Sequence, residues 1–542
     1  MPAPARARRA LAVAAIAAVA SAPRVAAQRA GAPTPTPAPT PTLVVLLTID
    51  QFRGDYPTRF GPQFTGGLAR LLRGGAWAVN GMHDHANTET APGHAATLSG
   101  RFPVHTGIAA NAEGVGDPDA PLVDAPEGGA SPVRFRGTTL VDWMRAADRR
   151  TRVLSVARKD RGAILPIGRA KGDVYWYSPT TGAFTTSRWY ATSLPRWVRD
   201  FNAEGRAARY AGWTWTPLLP DSAYAAPDSV PSESMGRSFT FPYTIPEDTA
   251  LATASLPGFP PMDRLTLDFA LAGVRALELG ADPRRTDLLA ISLGTTDAIG
   301  HRWGPDSREL HDQVLRLDRA LGDFLDSLFT LRDSSRVVIA LTADHGVTPL
   351  PVAGHPSTVT PNPGARFVDL RPAWRAQLAA MARAAIDTLQ VDFPDGTLVV
   401  GDTTSFVRAR TPVDSVVRAV AAAMRAVPGV ARADLLADLA RADTTTDMIA
   451  RRWLHMFAPG GPVRLVVTLD RFAYWEGTRT ATHGSPWELD AWVPVLFWGA
   501  PFRPGRHEAP VRVVDIAPTL AHVLGLVPSE RLDGVVLRAL LR

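Results

Sequence analysis

The sequence predicts an α/β fold: a three-layer α/β/α, doubly wound domain with a mostly parallel sheet and cap insertions. Three observations predict it. Short apolar runs recur along the chain, helical patterns lie between them, and several runs end in a carboxylate. Strands buried on both faces read as continuous hydrophobic runs, and strands alternating with helices build a parallel sheet covered on both sides.

The runs are 43–49, 152–157, 288–293, 337–342 and 493–498. The helical patterns are 66–72, 307–328 and 515–526. In the second of these, Leu310, Val314, Leu315, Leu317, Leu321, Phe324 and Leu325 recur at helical spacing. Two stretches break the alternation and read as insertions. One, at about 175–261, is rich in Trp, Tyr, Pro and Ser; the other, at about 355–474, has its own strand and helix patterns. Trp176, Tyr177, Trp189, Tyr190, Trp213 and Trp215 in the first either line a cap or pack a core.

The N-terminus reads as an export signal over 1–27. Arg6, Arg8 and Arg9 precede an apolar stretch over 10–20, and Val25-Ala26-Ala27 offers a cleavage site before Gln28. That stretch is shorter than the roughly 20 residues a membrane span needs, so no stable membrane association is expected after cleavage. Residues 28–42 form a Pro/Thr-rich linker, and the folded domain is expected over 43–542. The mature protein is thus expected to be periplasmic or secreted.

Composition narrows the chemistry. The formal net charge of +6 includes Arg6, Arg8, Arg9 and Arg24 of the leader, which leaves +2 and no case for nucleic-acid binding. There are no cysteines, so any metal must be held by His, Asp and Glu.

Ligands of a doubly wound sheet collect beyond the carboxyl ends of its strands. Asp50 ends the first run, Asp297 follows the third, and Asp344-His345 follow the fourth. Buried charges at one edge are costly unless paired, so they call for cations. Asp297 and His301 are spaced i, i+4 for one helix face, and His483 lies in a polar loop before the last run. Oxygen and imidazole donors without sulfur favour zinc. In Thr88-Glu89-Thr90-Ala91-Pro92-Gly93-His94, Pro92 suits a first helical turn and puts Thr90 near a helix N-cap, where anions bind. A zinc-bound Thr90 hydroxyl would be an activated nucleophile.

These segments resemble successive motifs of the alkaline phosphatase superfamily. They are Thr48-Ile49-Asp50-Gln51-Phe52-Arg53, Thr90-Ala91-Pro92-Gly93-His94, His105-Thr106-Gly107-Ile108-Ala109-Ala110-Asn111, Asp297-Ala298-Ile299-Gly300-His301, Ala343-Asp344-His345-Gly346, Thr482-His483-Gly484 and Asp515-Ile516-Ala517-Pro518-Thr519-Leu520. The resemblance implies two zinc ions, one on Asp297, His301 and His483, the other on Asp50, Asp344, His345 and Thr90. It further implies a phosphothreonine intermediate, with Asn111 binding a phosphoryl oxygen.

Substrate class rests on Ser155-Val156-Ala157-Arg158-Lys159-Asp160-Arg161. If extended, Lys159 and Arg161 point to one side, and two cations there suit a phosphate monoester dianion. The Lys-Asp-Arg pattern is similar to that of PafA-type bacterial alkaline phosphatases, which implies small-molecule phosphate monoesters as substrates. The alternatives are a nucleotide pyrophosphatase/phosphodiesterase with the same metal site and, in another class, a non-catalytic secreted zinc-binding protein. His83 and His85 lie on the approach to the nucleophile loop, and His94 is expected to orient its turn. The sequence carries no signature of a particular oligomeric state.

Overall fold

The structure is a computed structural model and describes residues 40–350, 366–478 and 480–542. The expected signal peptide, the linker up to residue 39 and the start of the second insertion, with His355, lie outside the described residues.

Ten strands form the main sheet. They are β1 (Leu43–Ile49), β2 (Ala76–Met82), β3 (Val153–Ala157), β4 (Asp173–Ser178), β5 (Ala183–Thr185), β6 (Asp287–Leu293), β7 (Val337–Thr342), β8 (Trp492–Trp498), β9 (Gly505–His507) and β10 (Val511–Arg512). The spatial order is β9-β2-β8-β7-β1-β6-β3-β4-β5, with β10 also paired to β2. β7, β1, β6, β3 and β4 are mutually parallel, whereas β8 runs antiparallel to both β7 and β2. Every residue of β1, β3, β6 and β7 is buried, as their unbroken apolar runs require. Each such Leu, Ile or Val contributes about 1.5–3 kcal/mol on leaving water.

Four helices matter to the site: α1 (Thr90–Ser99), α2 (Asp160–Ile164), α3 (Thr295–Trp303) and α4 (Arg308–Leu331). Ser307 caps α4 by accepting the Leu310 N–H at 3.1 Å, and Leu310, Val314, Leu317, Leu321 and Phe324 form its buried stripe. The buried polar groups of α4 tie down neighbours. Asp318 accepts the N–H groups of Thr65 and Gly66, both at 2.7 Å.

One expectation about the insertions changes on the structure, and the second insertion has the strands and helices expected of it. The first was to leave the fold at Tyr175, but the main sheet continues through β4 and β5 before the chain departs. Its aromatics pack rather than line a pocket. Trp176, Tyr177 and Trp215 are buried, and Trp215 donates its indole N–H to Asp312 of α4 at 2.6 Å. The second insertion carries its own antiparallel sheet, in the order Val391–Asp392, Thr397–Val400, Val463–Leu469, Val430–Leu435. Leu398, Val420, Met424, Leu465 and Val467 form a separate small core there. A cavity of about 700 Å³ lies between this sheet and the loops carrying Glu89 and His483.

Candidate active site

The sheet order explains why distant residues meet. β7, β1 and β6 are neighbours, and each delivers a carboxylate at its carboxyl end: Asp344, Asp50 and, one helical turn on, Asp297. The Asp50 N–H bonds the Leu293 carbonyl at 2.9 Å, which extends the ladder to the ligand itself. Asp50, Asp344 and His345 bring one donor atom each within 4.8 Å of one another, as do Asp297, His345 and His483. His345 therefore belongs geometrically to both groups. His301, expected in the second, stands outside both groups, although its Nε2 lies 3.1 Å from Asp297 Oδ1.

The imidazoles are oriented alike. Nδ1–H donates to a backbone carbonyl in each: Ala481 for His301 at 2.6 Å, Gly346 for His345 at 2.9 Å, and Thr88 for His483 at 2.8 Å. That fixes the tautomer and leaves Nε2 as the donor atom for a metal. His345 Nε2 lies 3.4 Å from Asp50 Oδ1, and the rings of His345 and His483 stack at 3.5 Å. Asp50 is buried and its only close cation among the described residues is Lys159, with Nζ 2.5 Å from Oδ2. One ammonium shared among buried carboxylates beside convergent Nε2 atoms leaves a need that divalent cations fit, and nitrogen with oxygen donors fits zinc.

Electrostatics point the same way. Burial, reinforced by Asp297 and Asp344, pushes the Asp50 carboxyl well above its ordinary range, so a lone anion there is unfavourable. Burial also holds His345 and His483 below the usual imidazole value, in the neutral form a metal needs. His301 moves up instead, because the Asp297 carboxylate outweighs the effect of burial.

Thr90 is the first residue of α1, with Glu89 as N-cap, and its Oγ lies 3.4 Å from His345 Nε2. Gly93 explains how close α1 sits: a Cβ there would lie 2.0 Å from the Asp344 carbonyl oxygen. His94, fully buried, donates from Nδ1 to the Thr90 carbonyl at 2.9 Å and accepts from Ser292 Oγ at its other nitrogen. The same Nδ1 is 3.2 Å from Asp344 Oδ2, so His94 braces the Thr90 turn against a metal-site carboxylate. His83 donates to the Ala343 carbonyl and accepts from His85.

Two sequence expectations are corrected here. The 155–163 segment is not extended through Lys159 and Arg161. β3 ends at Ala157, Lys159 is the N-cap of α2, and Arg161 lies in its first turn. Asp160 starts the helix by accepting the Arg161 N–H at 2.6 Å. Lys159 still reaches the site, 2.5 Å from Asp50, 2.7 Å from Asp297 and 3.4 Å from Thr90 Oγ. The start of α1 is also less open to an anion than expected. Its Ala91 N–H is taken by Asn111 Oδ1 at 2.9 Å, which leaves the Asn111 NH₂ as a side-chain donor.

The sequence reading missed Gln51. It is fully buried with a left-handed backbone (φ 64°), its N–H bonds Asp344 at 3.1 Å, and its amide bonds Asp297 at 3.0 Å. Gly300 makes room for it, since a Cβ there would be 2.0 Å from Gln51 Oε1. An amide carries no titration or ligand signal, so only its place after Asp50 could have marked it.

Residues 44–388, well over half of the chain, match the type I phosphodiesterase/nucleotide pyrophosphatase family. The chain belongs to this family. Within its wider superfamily it sits with the PafA-type alkaline phosphatases. It is 31% identical to alkaline phosphatase PhoV of Synechococcus elongatus, over 92% of this chain and 93% of that one. A protein of Myroides odoratus named calcium-transporting ATPase is 30% identical over 89% and 91% of the two chains. None of the described helices here is long and apolar enough to cross a membrane. The crystal structure of wild-type alkaline phosphatase PafA superposes with a TM-score of 0.83 and 26% identity, covering 93% of this chain and 99% of that one. A PafA variant has been solved with a Thr, an Asn, a Lys and an Arg replaced. The Thr and Asn are 21 positions apart and the Lys and Arg two, the same separations as Thr90 to Asn111 and Lys159 to Arg161.

Proposed function

We propose that this phosphoric monoester hydrolase acts through Thr90 as a covalent nucleophile at two zinc ions. Asp50, Asp344, His345 and Thr90 would hold one ion; Asp297, His301 and His483 would hold the other. The carrying observation is the convergence of Asp50, Asp297, Asp344, His345 and His483, from four separated parts of the chain, with Nδ1 of each imidazole tied to a backbone carbonyl so that Nε2 is the donor. When bound, the ions supply Lewis-acid stabilisation of the attacking and leaving oxygens and make the Thr90 hydroxyl acidic.

The chain does the rest. Thr90 Oγ forms a bond to phosphorus as the ester P–O bond breaks, giving a phosphothreonine and the free alcohol. Water then attacks that phosphorus, releasing inorganic phosphate and restoring the hydroxyl. Lys159, Arg161 and the Asn111 amide hold the unesterified oxygens, and fixed donors of this kind stabilise charge as it develops. Gln51 and His94 hold Asp297, Asp344 and the Thr90 turn in register. The matching separations in the substituted PafA variant support these four assignments.

The test is release of p-nitrophenol from its phosphate monoester and from bis-p-nitrophenyl phosphate, with and without chelator. The monoester should be favoured by about 10²-fold or more in kcat/KM, a difference of about 2.7 kcal/mol. Chelation should abolish turnover, and zinc should restore it. Faster diester cleavage makes the protein a phosphodiesterase, and chelator-insensitive turnover removes the metal mechanism. The basic, apolar start of the chain supports export, which a mature N-terminus at Gln28 would bear out.

A further inference from the structure

The cavity beneath the second insertion reaches the candidate metal site at His483. Asn87, Glu89, His483 and Gly484 form its inner wall, while Lys159 and Arg161 do not line it. It therefore opens on the His483 side of the metal cluster, away from the cations assigned to the phosphoryl oxygens. Its volume of about 700 Å³ is far more than a phosphoryl group needs. Pockets of this size hold drug-sized organic groups.

Its walls are aromatic and acidic. Trp453, Phe457, Tyr474, Trp475 and Trp487 face it from the insertion and the following loop. Among the described lining residues the acids are Glu89, Glu113, Asp395, Asp470, Glu488 and Asp490, and Arg471 is the only arginine or lysine. Arg471 is already engaged, 2.6 Å from Glu488 and stacked over Trp487 at 4.9 Å, and Asp470 pairs with Arg366 at 3.3 Å. Asp490 is buried and Glu89 accepts the Asn111 N–H, so the acids that face an occupant without an ion pair among the described residues are Glu113 and Asp395. Flat π-faces favour planar rings, and two such exposed carboxylates disfavour anions.

We propose that this cavity is the leaving-group pocket, and that it selects phosphate monoesters of planar aromatic alcohols carrying no negative charge. The assignment rests on the monoesterase reading above. The substrate then spans two opposite fields. Its dianionic end faces Lys159 and Arg161, and its departing alcohol lies among rings and carboxylates.

The test uses the zinc-loaded full chain with phenyl, 2-naphthyl and 6-carboxy-2-naphthyl phosphates. Naphthyl should exceed phenyl by about tenfold in kcat/KM, the scale of one added aromatic contact, and the carboxylate should remove about that much. Trp475→Ala, at a ring 38% exposed, should erase most of the naphthyl preference while leaving phenyl phosphate within about threefold of wild type. Glu113→Gln/Asp395→Asn, both at exposed positions, should restore the carboxylated substrate. Equal rates on phenyl and naphthyl esters overturn the proposal, as does unchanged discrimination in both variants. Binding of 2-naphthol to Thr90→Ala, followed by quenching of tryptophan fluorescence, separates the two readings. Saturable quenching in that variant, with no monoester turnover by the wild-type chain, keeps the pocket and removes the monoesterase assignment. No quenching removes the pocket whatever the enzyme hydrolyses.

Discussion

Replacing Lys159 and Arg161 together by Ala is the perturbation that most directly separates monoester from diester chemistry. A monoester dianion presents three unesterified oxygens, a diester only two and one charge fewer. Lys159 Nζ is 3.4 Å from the nucleophilic oxygen, so it reaches any phosphorus bonded there. The Arg161 side chain is 28% exposed, its Nη1 is 3.6 Å from Asp160, and its buried Nε has no hydrogen-bond partner among the described residues. A hydrogen bond to a charged group contributes about 1.5–3 kcal/mol, so two lost bonds amount to about 3–6 kcal/mol. Partial solvent access to Arg161 favours the lower half of that range. Monoester kcat/KM should therefore fall by about 10²–10⁴-fold, and that of a methyl aryl diester by no more than about tenfold. The assay is the ratio of the two constants in each protein. Lys159 also pairs with Asp50 and Asp297, so zinc content must be measured alongside. Equal losses on both esters with zinc content unchanged would refute the reasoning, because the two cations would then be serving something common to both substrates.

Other perturbations test the packing behind the site. Gly93→Ala places a methyl 2.0 Å from the Asp344 carbonyl, and should cost about 1–3 kcal/mol by thermal unfolding and about 10²-fold in kcat. Gly116→Ala, with nothing within 4 Å, should leave both unchanged. Trp215→Ala empties a fully buried site and removes one of several donors to Asp312, so urea unfolding should show a loss of about 3–5 kcal/mol. Activity per folded molecule should stay within about twofold, since the first insertion does not line the cavity. Burial pushes the Glu309 carboxyl up to about 7, above its unfolded value of 4.5. The folded state thus favours its protonated form, and stability present below pH 4.5 is lost as pH rises through about 7. Glu309→Gln should flatten the difference in Tm between pH 5 and pH 8.5.

The centre of the sheet was legible because its strands are buried on both faces and leave unbroken apolar runs. β2 escaped notice because Asn80 and Gly81 interrupt it, and β4 because Asp173 and three aromatics resemble the loop that follows. The antiparallel direction of β8 is set by its partners β7 and β2, and an apolar run does not encode direction. At the site, Asp50, Asp297, Asp344 and His345 were visible because each lies just past a strand that could be read, whereas His483 precedes one. Lys159 reaches Asp50 and Asp297, but Lys159-Asp160-Arg161 begins a helix instead of extending the strand. Asp160 begins a helix, a local choice that competes with extension of β3 and leaves no trace in hydrophobic periodicity. Gln51 acts through an amide and a left-handed backbone, and neither shows in residue chemistry alone.

The donor set runs from Asp50 to His483, so a chain that stops anywhere short of the His483 loop cannot close the second group. Closing that group must therefore wait until nearly nine-tenths of the chain has emerged and the central strands have found their order, whereas the group of Asp50, Asp344 and His345 is complete far earlier. The two halves of the site thus mature one after the other, the carboxylate-rich half first.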